Sequence, residues 1–261
     1  MNIHGVLVPI VTPFDVNGDI DTQKLTELVN VFIEKGVTGI VACGTTGEYY
    51  TFSPAERELV LTTIADAAKG KVTLIAGINS LSTNHSIELA HQAKNLGYDG
   101  LMLSANPYNF PARVGVSIEF ETVAHLSKHP NIVGVKESSG DFSHALRMLQ
   151  ADFENFEVVC GCDDQPVDFF FWGAKSWIAG AANVFPAEQV ALFEATKKGD
   201  WNHAKELMTA MYPAIHSMES GNYNQKAKAG CINGSINVGS VRLPLTDMSK
   251  EETQSFLALL S

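Results

Sequence analysis

The stretch from Ile132 to Asp141 reads IVGVKESSGD and places a short apolar run directly before a loop of charged and small residues. The run Ile132–Val135 has the length and β-branched content of a buried strand, and a helical pattern follows over Phe142–Gln150. Six more runs of this kind occur, at Val6–Val11, Gly39–Cys43, Val72–Ile78, Leu101–Leu103, Val158–Cys160 and Trp177–Ala182. They are apolar throughout, which is typical of parallel strands that are covered on both faces.

Helical patterns occupy the intervals between these runs. Ser53-Pro54-Ala55-Glu56 combines an N-cap serine, a first-turn proline and a capping-box glutamate, so it predicts the start of a helix. Further helices are predicted from apolar spacing around Leu25–Ile33 and over Thr83–Asn95, Ile118–Lys128, Gln165–Trp172, Pro186–Lys198, Trp201–Met218, Asn224–Cys231 and Lys250–Leu260. Strand–helix alternation in a single domain favours an α/β fold of the TIM (β/α)8-barrel type. Neither a dinucleotide-binding glycine motif nor a P-loop motif is present.

The count of strands is one short of a complete barrel. The gap falls between Leu103 and Ile118, so the barrel is predicted to lack helix 4 and most of strand 5. Asn106–Val114 is the candidate for a distorted replacement strand beside an open seam, and we expect lower thermal stability than in full-length barrels. Residues 1–198 are expected to form the barrel and residues 199–261 a C-terminal helical extension.

Composition narrows the classes of partner. A formal net charge of -11 argues against nucleic acid and anionic membranes as partners, and no apolar run reaches the roughly 18 residues of a membrane span. The four cysteines form no disulfide framework and the N-terminus has no basic region typical of a secretory signal, so a cytoplasmic location is expected. Cys160-Gly161-Cys162 is a weak metal signal, and no ligand cluster supports it, so neither a metal site nor a metal-dependent aldolase is expected.

Lys136 is the most informative candidate for chemistry. Active sites of α/β barrels lie at the C-terminal ends of the strands, and alternation along the strand sets Ile132, Gly134 and Lys136 on one face. Burial there would lower the pKa of the lysine and leave a free amine that attacks a ketone. The alternative is a lysine that only marks the exposed end of the strand, and pattern alone leaves both interpretations open.

Three other segments carry weaker signals. Gly44-Thr45-Thr46-Gly47 offers backbone N–H groups and hydroxyls that suit a carboxylate, although an ordinary turn has the same composition. Tyr108 is either a proton-transferring phenol or a packed aromatic residue. Arg113 either clamps a carboxylate through its planar guanidinium or forms a surface ion pair.

Together these segments resemble the dihydrodipicolinate synthase / N-acetylneuraminate lyase family of class I aldolase-type enzymes. The resemblance covers almost the whole chain in family order, and the combination is far more specific than any single motif. The matching stretches are Val11–Phe14 (VTPF), Cys43–Glu48 (CGTTGE), Tyr108–Gly115 (YNFPARVG), Asn131–Asp141 (NIVGVKESSGD), Gly161–Asp164 (GCDD), Gly180–Pro186 (GAANVFP) and Arg242–Leu245 (RLPL).

The resemblance implies a lyase or synthase that needs no cofactor beyond its own lysine. Lys136 would form a Schiff base with pyruvate or a related 2-oxo acid, and Tyr108 would be the general acid/base beside it. Thr45 would relay protons, and Thr46 would help to bind the carboxylate of the 2-oxo acid. A homodimer or homotetramer is also implied.

Two further groups follow from the same resemblance. Gly161 and Ile178 would provide backbone contacts to the substrate. Arg113 is similar to the arginine with which the synthase branch holds the carboxylate of the aldehyde partner.

The chain departs from the synthases in two places. The helix and strand that normally precede the YN-x-P motif are absent, and with them the second tyrosine that crosses a dimer interface. The Asn-Pro segment before a late lysine is replaced by Ser220–Lys226. Three alternatives therefore stay open: a 2-keto-3-deoxy sugar acid dehydratase or aldolase, a pyrroline-4-hydroxy-2-carboxylate deaminase, and a degenerate paralogue that only binds.

Overall fold

The strands and helices alternate as the sequence predicts. The computed structural model describes residues 3–104, 118–151 and 153–260. Its strands are β1 Gly5–Pro9, β2 Gly39–Ala42, β3 Thr73–Gly77, β4 Gly100–Met102, β5 Gly134–Glu137, β6 Glu157–Cys160 and β7 Ser176–Ile178. Its helices are α1 Thr22–Glu34, α2 Pro54–Ala68, α3 Thr83–Leu96, α4 Phe120–Leu126, α5 Phe142–Leu149, α6 Pro166–Phe171, α7 Pro186–Lys197, α8 Trp201–Glu219, α9 Tyr223–Gly234 and α10 Lys250–Leu257. All seven predicted strands and all ten predicted helices are confirmed, with ends that move by a few residues.

The described strands form one parallel sheet in the order β4-β3-β2-β1-β7-β6-β5. The first strand pairs with both β2 and the last strand β7, with Leu7 opposite Gly39 on one side and Ile178 on the other. A first strand that pairs with the last is the connectivity of a barrel and not of an open doubly wound sheet. The barrel-like α/β class is therefore confirmed.

The sheet has two end strands in the described part of the chain, β4 and β5. The predicted loss of helix 4 and most of strand 5 concerns the chain between these two strands. Residues 105–117, including all of Asn106–Val114, lie outside the described residues. The shortened unit therefore stays a prediction.

Alternation along each strand separates two apolar layers. Val8, Ile40 and Trp177 belong to the large core between the sheet and the helices. Their neighbours Leu7, Val41 and Ile178 form, together with Ile75, Val159 and Ile3, a smaller cluster on the inner face. The inner side of the sheet is thus a packed core, as expected for a barrel of this class.

Helix starts follow the local capping signals. At α2 the side chain of Ser53 accepts from the N–H of Glu56, and the Glu56 carboxylate accepts from the N–H of Ser53, which confirms the capping box. Of the last three helices, α8 packs against α7, α9 packs against a 3-10 turn at Gly180–Asn183, and α10 packs against α9. The division at residue 198 stays a prediction. Of the helices described, none is long and apolar enough to cross a membrane.

Candidate active site

Lys136 lies on the inner face of the barrel. It is aligned with Val159 of β6, and the Val159 side chain belongs to the inner apolar cluster. Val135 and Val158 are the neighbouring pair, and they pack toward the helices. Because successive side chains alternate between faces, Lys136 is directed into the barrel near the C-terminal ends of β5 and β6.

Gly161, the first residue after β6, makes room for the lysine. A Cβ atom at this position would come within 2.7 Å of Lys136 Cε and within 2.7 Å of the Glu137 carbonyl oxygen. The N–H of Gly161 donates to that same carbonyl at 2.8 Å. Lys136 therefore crosses close over a backbone position where a Cβ atom would clash with its neighbours.

The amine of Lys136 is easier to deprotonate than an ordinary lysine. Desolvation lowers its pKa, while the charges of Asp163, Cys162 and Cys160 act in the opposite direction. Lys136 nevertheless remains exposed to solvent.

A buried carboxylate, Asp163, is the charged neighbour that the sequence did not assign to the site. Its Oδ2 atom accepts from the N–H of Ala181 at 3.0 Å and from the hydroxyl of Tyr223. Its Oδ1 atom has no hydrogen-bond partner among the described residues. Burial raises the pKa of Asp163, and the bond from Tyr223 and the charge of Lys136 counteract that rise. The GCDD motif contains Asp163, but no sequence signal pointed to Tyr223, which is 60 positions away.

The loop after β2 contains both predicted threonines. Thr45 is exposed and Thr46 is half-buried, and the Thr12 hydroxyl donates to the Gly47 carbonyl at 2.9 Å beneath them. Within the described residues, the N–H groups of Thr45 and Thr46 have no hydrogen-bond partner. Free N–H groups in a fixed turn can bind a carboxylate without further rearrangement.

Glu48 fixes this loop from behind. It is fully buried in a left-handed conformation with φ 61°, and its Oε1 lies 2.8 Å from the ammonium of Lys228 on α9. The N–H of Arg242 donates to Oε2 of the same glutamate at 2.8 Å. Lys228 also lies 3.9 Å from the ring centre of Phe14. Residues of the VTPF, CGTTGE and RLPL motifs thus meet in one buried cluster, a contact that the separate motifs did not predict.

Of the three remaining predicted residues, the structure describes only Ile178. Ile178 at the end of β7 is buried in the inner cluster. Tyr108 and Arg113 lie outside the described residues, so their predicted roles stay predictions.

Both cysteines of the C-x-C motif are buried and free. Burial raises the pKa of Cys162 to about 11 and that of Cys160 well above its usual value, so both are held as thiols. Across residues 3–104, 118–151 and 153–260 there is no cluster of three or more His, Cys, Asp or Glu side chains that could hold a metal ion.

Known proteins resemble this chain over its full length. A curated 4-hydroxy-tetrahydrodipicolinate synthase from an Exiguobacterium species is 33% identical over 282 aligned positions, which cover 98% of this chain and 96% of the relative. One from Citrifermentans bemidjiense is 34% identical over 285 positions, covering 98% and 97%. These aligned lengths exceed the 261 residues of the chain, so each relative has positions without a counterpart here.

Solved structures give the same result. A dihydrodipicolinate synthase from Bacillus anthracis superposes with a TM-score of 0.93 at 29% identity, over 100% of this chain and 98% of the other. The chloride-inhibited enzyme from Acinetobacter baumannii, solved in complex with pyruvate, superposes with a TM-score of 0.92 at 29% identity over 99% and 98%. The model of the dihydrodipicolinate synthetase family matches residues 2–108 and 103–261. The chain therefore belongs to the dihydrodipicolinate synthetase family of enzymes.

Proposed function

We propose that this lyase binds a small 2-oxo acid, with pyruvate as the first candidate, as a Schiff base on Lys136. The observation that carries the proposal is a lysine of lowered pKa on the inner face of the barrel, directly over Gly161. The pyruvate complex of the related Acinetobacter baumannii enzyme supports the choice of substrate class.

The chemistry follows from a free amine in that place. The Lys136 amine adds to the ketone carbon, and the resulting carbinolamine gains a proton and loses water to give an iminium. The cationic nitrogen then accepts the electron pair left when a proton leaves the adjacent carbon. The enamine formed in this way attacks the aldehyde of a second substrate, so the lysine itself supplies the electron sink and no metal or cofactor is needed.

The remaining site residues receive proposed roles around this centre. The N–H groups of Thr45 and Thr46, which have no partner among the described residues, support binding of the 2-oxo acid carboxylate by this loop, with the Thr45 hydroxyl as a proton relay. Tyr108 is proposed as the general acid/base, and Arg113 as the clamp for a carboxylate on the second substrate. Gly161 and Ile178 are proposed to contact the substrate through their backbones.

The same iminium would also serve dehydration of a 2-keto-3-deoxy sugar acid or deamination of a hydroxylated pyrroline carboxylate. These alternatives stay open because Ser220–Lys226 replaces the Asn-Pro segment of the synthases. The replacement brings Tyr223 to the site. A panel of 2-oxo acids and second substrates, assayed for turnover, separates them. An adduct without turnover for any pair would favour a paralogue that only binds.

Trapping tests the proposal directly. Incubation with pyruvate and borohydride should add the mass of a reduced pyruvate adduct to the peptide that contains Lys136. The adduct should be lost in Lys136→Ala and retained in Lys128→Ala, a matched change of an exposed lysine. Labelling that persists in Lys136→Ala would remove the assignment.

We also propose a cytoplasmic homodimer or homotetramer. All four cysteines are free, which suits a reducing compartment. Phe171 and Trp172 are large aromatic side chains that remain 63% and 42% exposed, as residues at a subunit contact would be in an isolated chain. Light scattering of the purified protein measures the assembly, and a monomeric mass would contradict it.

A further inference from the structure

A tyrosine from the C-terminal helices reaches the centre of the barrel end. The hydroxyl of Tyr223, the first residue of α9, donates to Asp163 just beyond β6. The contact depends on Gly180, where a Cβ atom would lie 2.9 Å from Tyr223 Cζ and 3.3 Å from Asp163 Oδ2. Three separate parts of the chain, at Asp163, Gly180 and Tyr223, thus pack around this hydrogen bond.

Only one oxygen of the Asp163 carboxylate takes part in this contact. Asp163 is only 4% exposed, and Oδ2 receives both Tyr223 and the Ala181 N–H, while Oδ1 has no hydrogen-bond partner in the described residues. A buried carboxylate without full pairing is costly unless a cation stands nearby. Lys136 is such a cation: its charge stabilises ionised Asp163, and Asp163 in turn stabilises charged Lys136.

The two groups act on each other through space. In the described part of the chain no ion pair within 4.0 Å joins Lys136 to Asp163. The separation leaves the amine free to react while the carboxylate still acts on its charge. Coulombic attraction acts beyond contact distance and is stronger beside a buried carboxylate than in bulk water.

We propose that Asp163, held in place by Tyr223, is the counter-charge of the cationic iminium on Lys136. This inference rests on the Schiff base proposed above and assigns two positioning residues to it. Neither Asp163 nor Tyr223 needs to touch the reacting atoms.

Formation of the iminium creates a positive charge, and this charge needs an anion nearby. A neutral amine and a neutral ketone carbon combine, one proton is taken up, and one water leaves, so the product carries a positive charge that the reactants lacked. In a desolvated site that charge is unfavourable unless an anion is already positioned. Asp163 is fixed before substrate arrives, so its stabilisation requires no rearrangement.

Other titratable groups also face this cluster. Cys160 and Cys162 act on Lys136, and Glu219 at the end of α8 acts on Tyr223 and Cys162. Burial raises the pKa of both thiols, so they are uncharged at neutral pH. Asp163 is the largest of the influences that favour charged Lys136.

The test is the pH dependence of trapping in the full chain, with pyruvate as probe and cyanoborohydride as reductant. Asp163→Asn removes the charge that favours Lys136 ammonium, so the amine becomes free at lower pH. The midpoint of the trapping rate should therefore move to lower pH, and turnover should fall. Tyr223→Phe removes the bond that keeps the pKa of Asp163 down, so it should move the midpoint in the same direction by less.

Matched controls are Asp164→Asn, the adjacent carboxylate, and Tyr212→Phe on the exposed side of α8; both should keep the wild-type midpoint. An Asp163→Asn protein that folds and keeps the midpoint, or raises it, overturns the proposal. If Asp163→Asn does not fold, an unchanged midpoint in Tyr223→Phe overturns it. Absence of any Lys136 adduct in the wild type would instead refute the Schiff base itself.

Discussion

At the scale of single residues, the missing Cβ atoms of two glycines make room for side chains of the site. Gly161 and Gly180 are both positions where a Cβ atom would overlap a functional side chain, Lys136 in one case and Tyr223 in the other. The first was singled out from the sequence and the second only as part of a motif. A glycine in a sequence does not tell which side chain will cross over it.

Substitution of Gly161 tests the close approach to the lysine. In Gly161→Ala the new Cβ would overlap the Ser138 hydroxyl and press on Lys136 Cε and the Glu137 carbonyl, so the amine should be displaced from its working position. Misplacement of a reacting group by about 1 Å can reduce the rate about 100-fold, and we expect kcat to fall by about that factor. Steady-state kinetics measures the loss, and circular dichroism checks that the protein remains folded. A fully active Gly161→Ala would show that the lysine does not depend on this contact.

At the scale of elements, strands and helices were predictable because each is specified locally. Apolar runs, the capping box at Ser53 and Glu56, and helical spacing all act within a few residues. Contacts between distant elements were not predictable in this way. The Glu48–Lys228 pair joins the loop after β2 to α9, and Tyr223 joins α9 to Asp163, and neither partner carries a local signal for the other.

Breaking the buried pair should loosen the loop that carries Thr45 and Thr46. In Lys228→Met the carboxylate of Glu48 would remain fully buried with its cation removed. Loss of one partner of a buried pair costs about 3–5 kcal/mol, so the free energy of unfolding in urea should fall by about that amount. Lys205→Met, on the exposed face of α8, should change it by less than about 0.5 kcal/mol. Equal effects of the two changes would contradict a structural role for the pair.

At the scale of the whole molecule, the barrel pattern was predictable from repetition, whereas the region between β4 and β5 was not. The family model matches in two pieces that meet at residues 103–108, and the aligned relatives have extra positions. Leu101 on the outer face of β4 and Leu103 directly after that strand are 47% and 62% exposed. These observations support the proposal that a helix which would cover β4 is missing.

A matched pair of substitutions tests whether the outer side of β4 is uncovered. Leu103 and Leu74 are both directed away from the inner cluster, but Leu74 on β3 is fully buried in the main core. Leu103→Glu should change the free energy of unfolding by less than about 0.5 kcal/mol. Leu74→Glu would bury an unpaired charge and should prevent folding. A severe loss of stability in Leu103→Glu would mean that another part of the protein, or a partner subunit, covers this strand.

If Lys136 is the nucleophile for a 2-oxo acid, reduction after reaction with pyruvate must leave an adduct on this lysine. Mass spectrometry of peptides after treatment with pyruvate and borohydride locates the adduct on a single residue. We predict that the peptide containing Lys136 gains the reduced pyruvate mass and that Lys136→Ala gains none. An adduct on a different lysine, or no adduct in a folded wild-type protein, would contradict the claim.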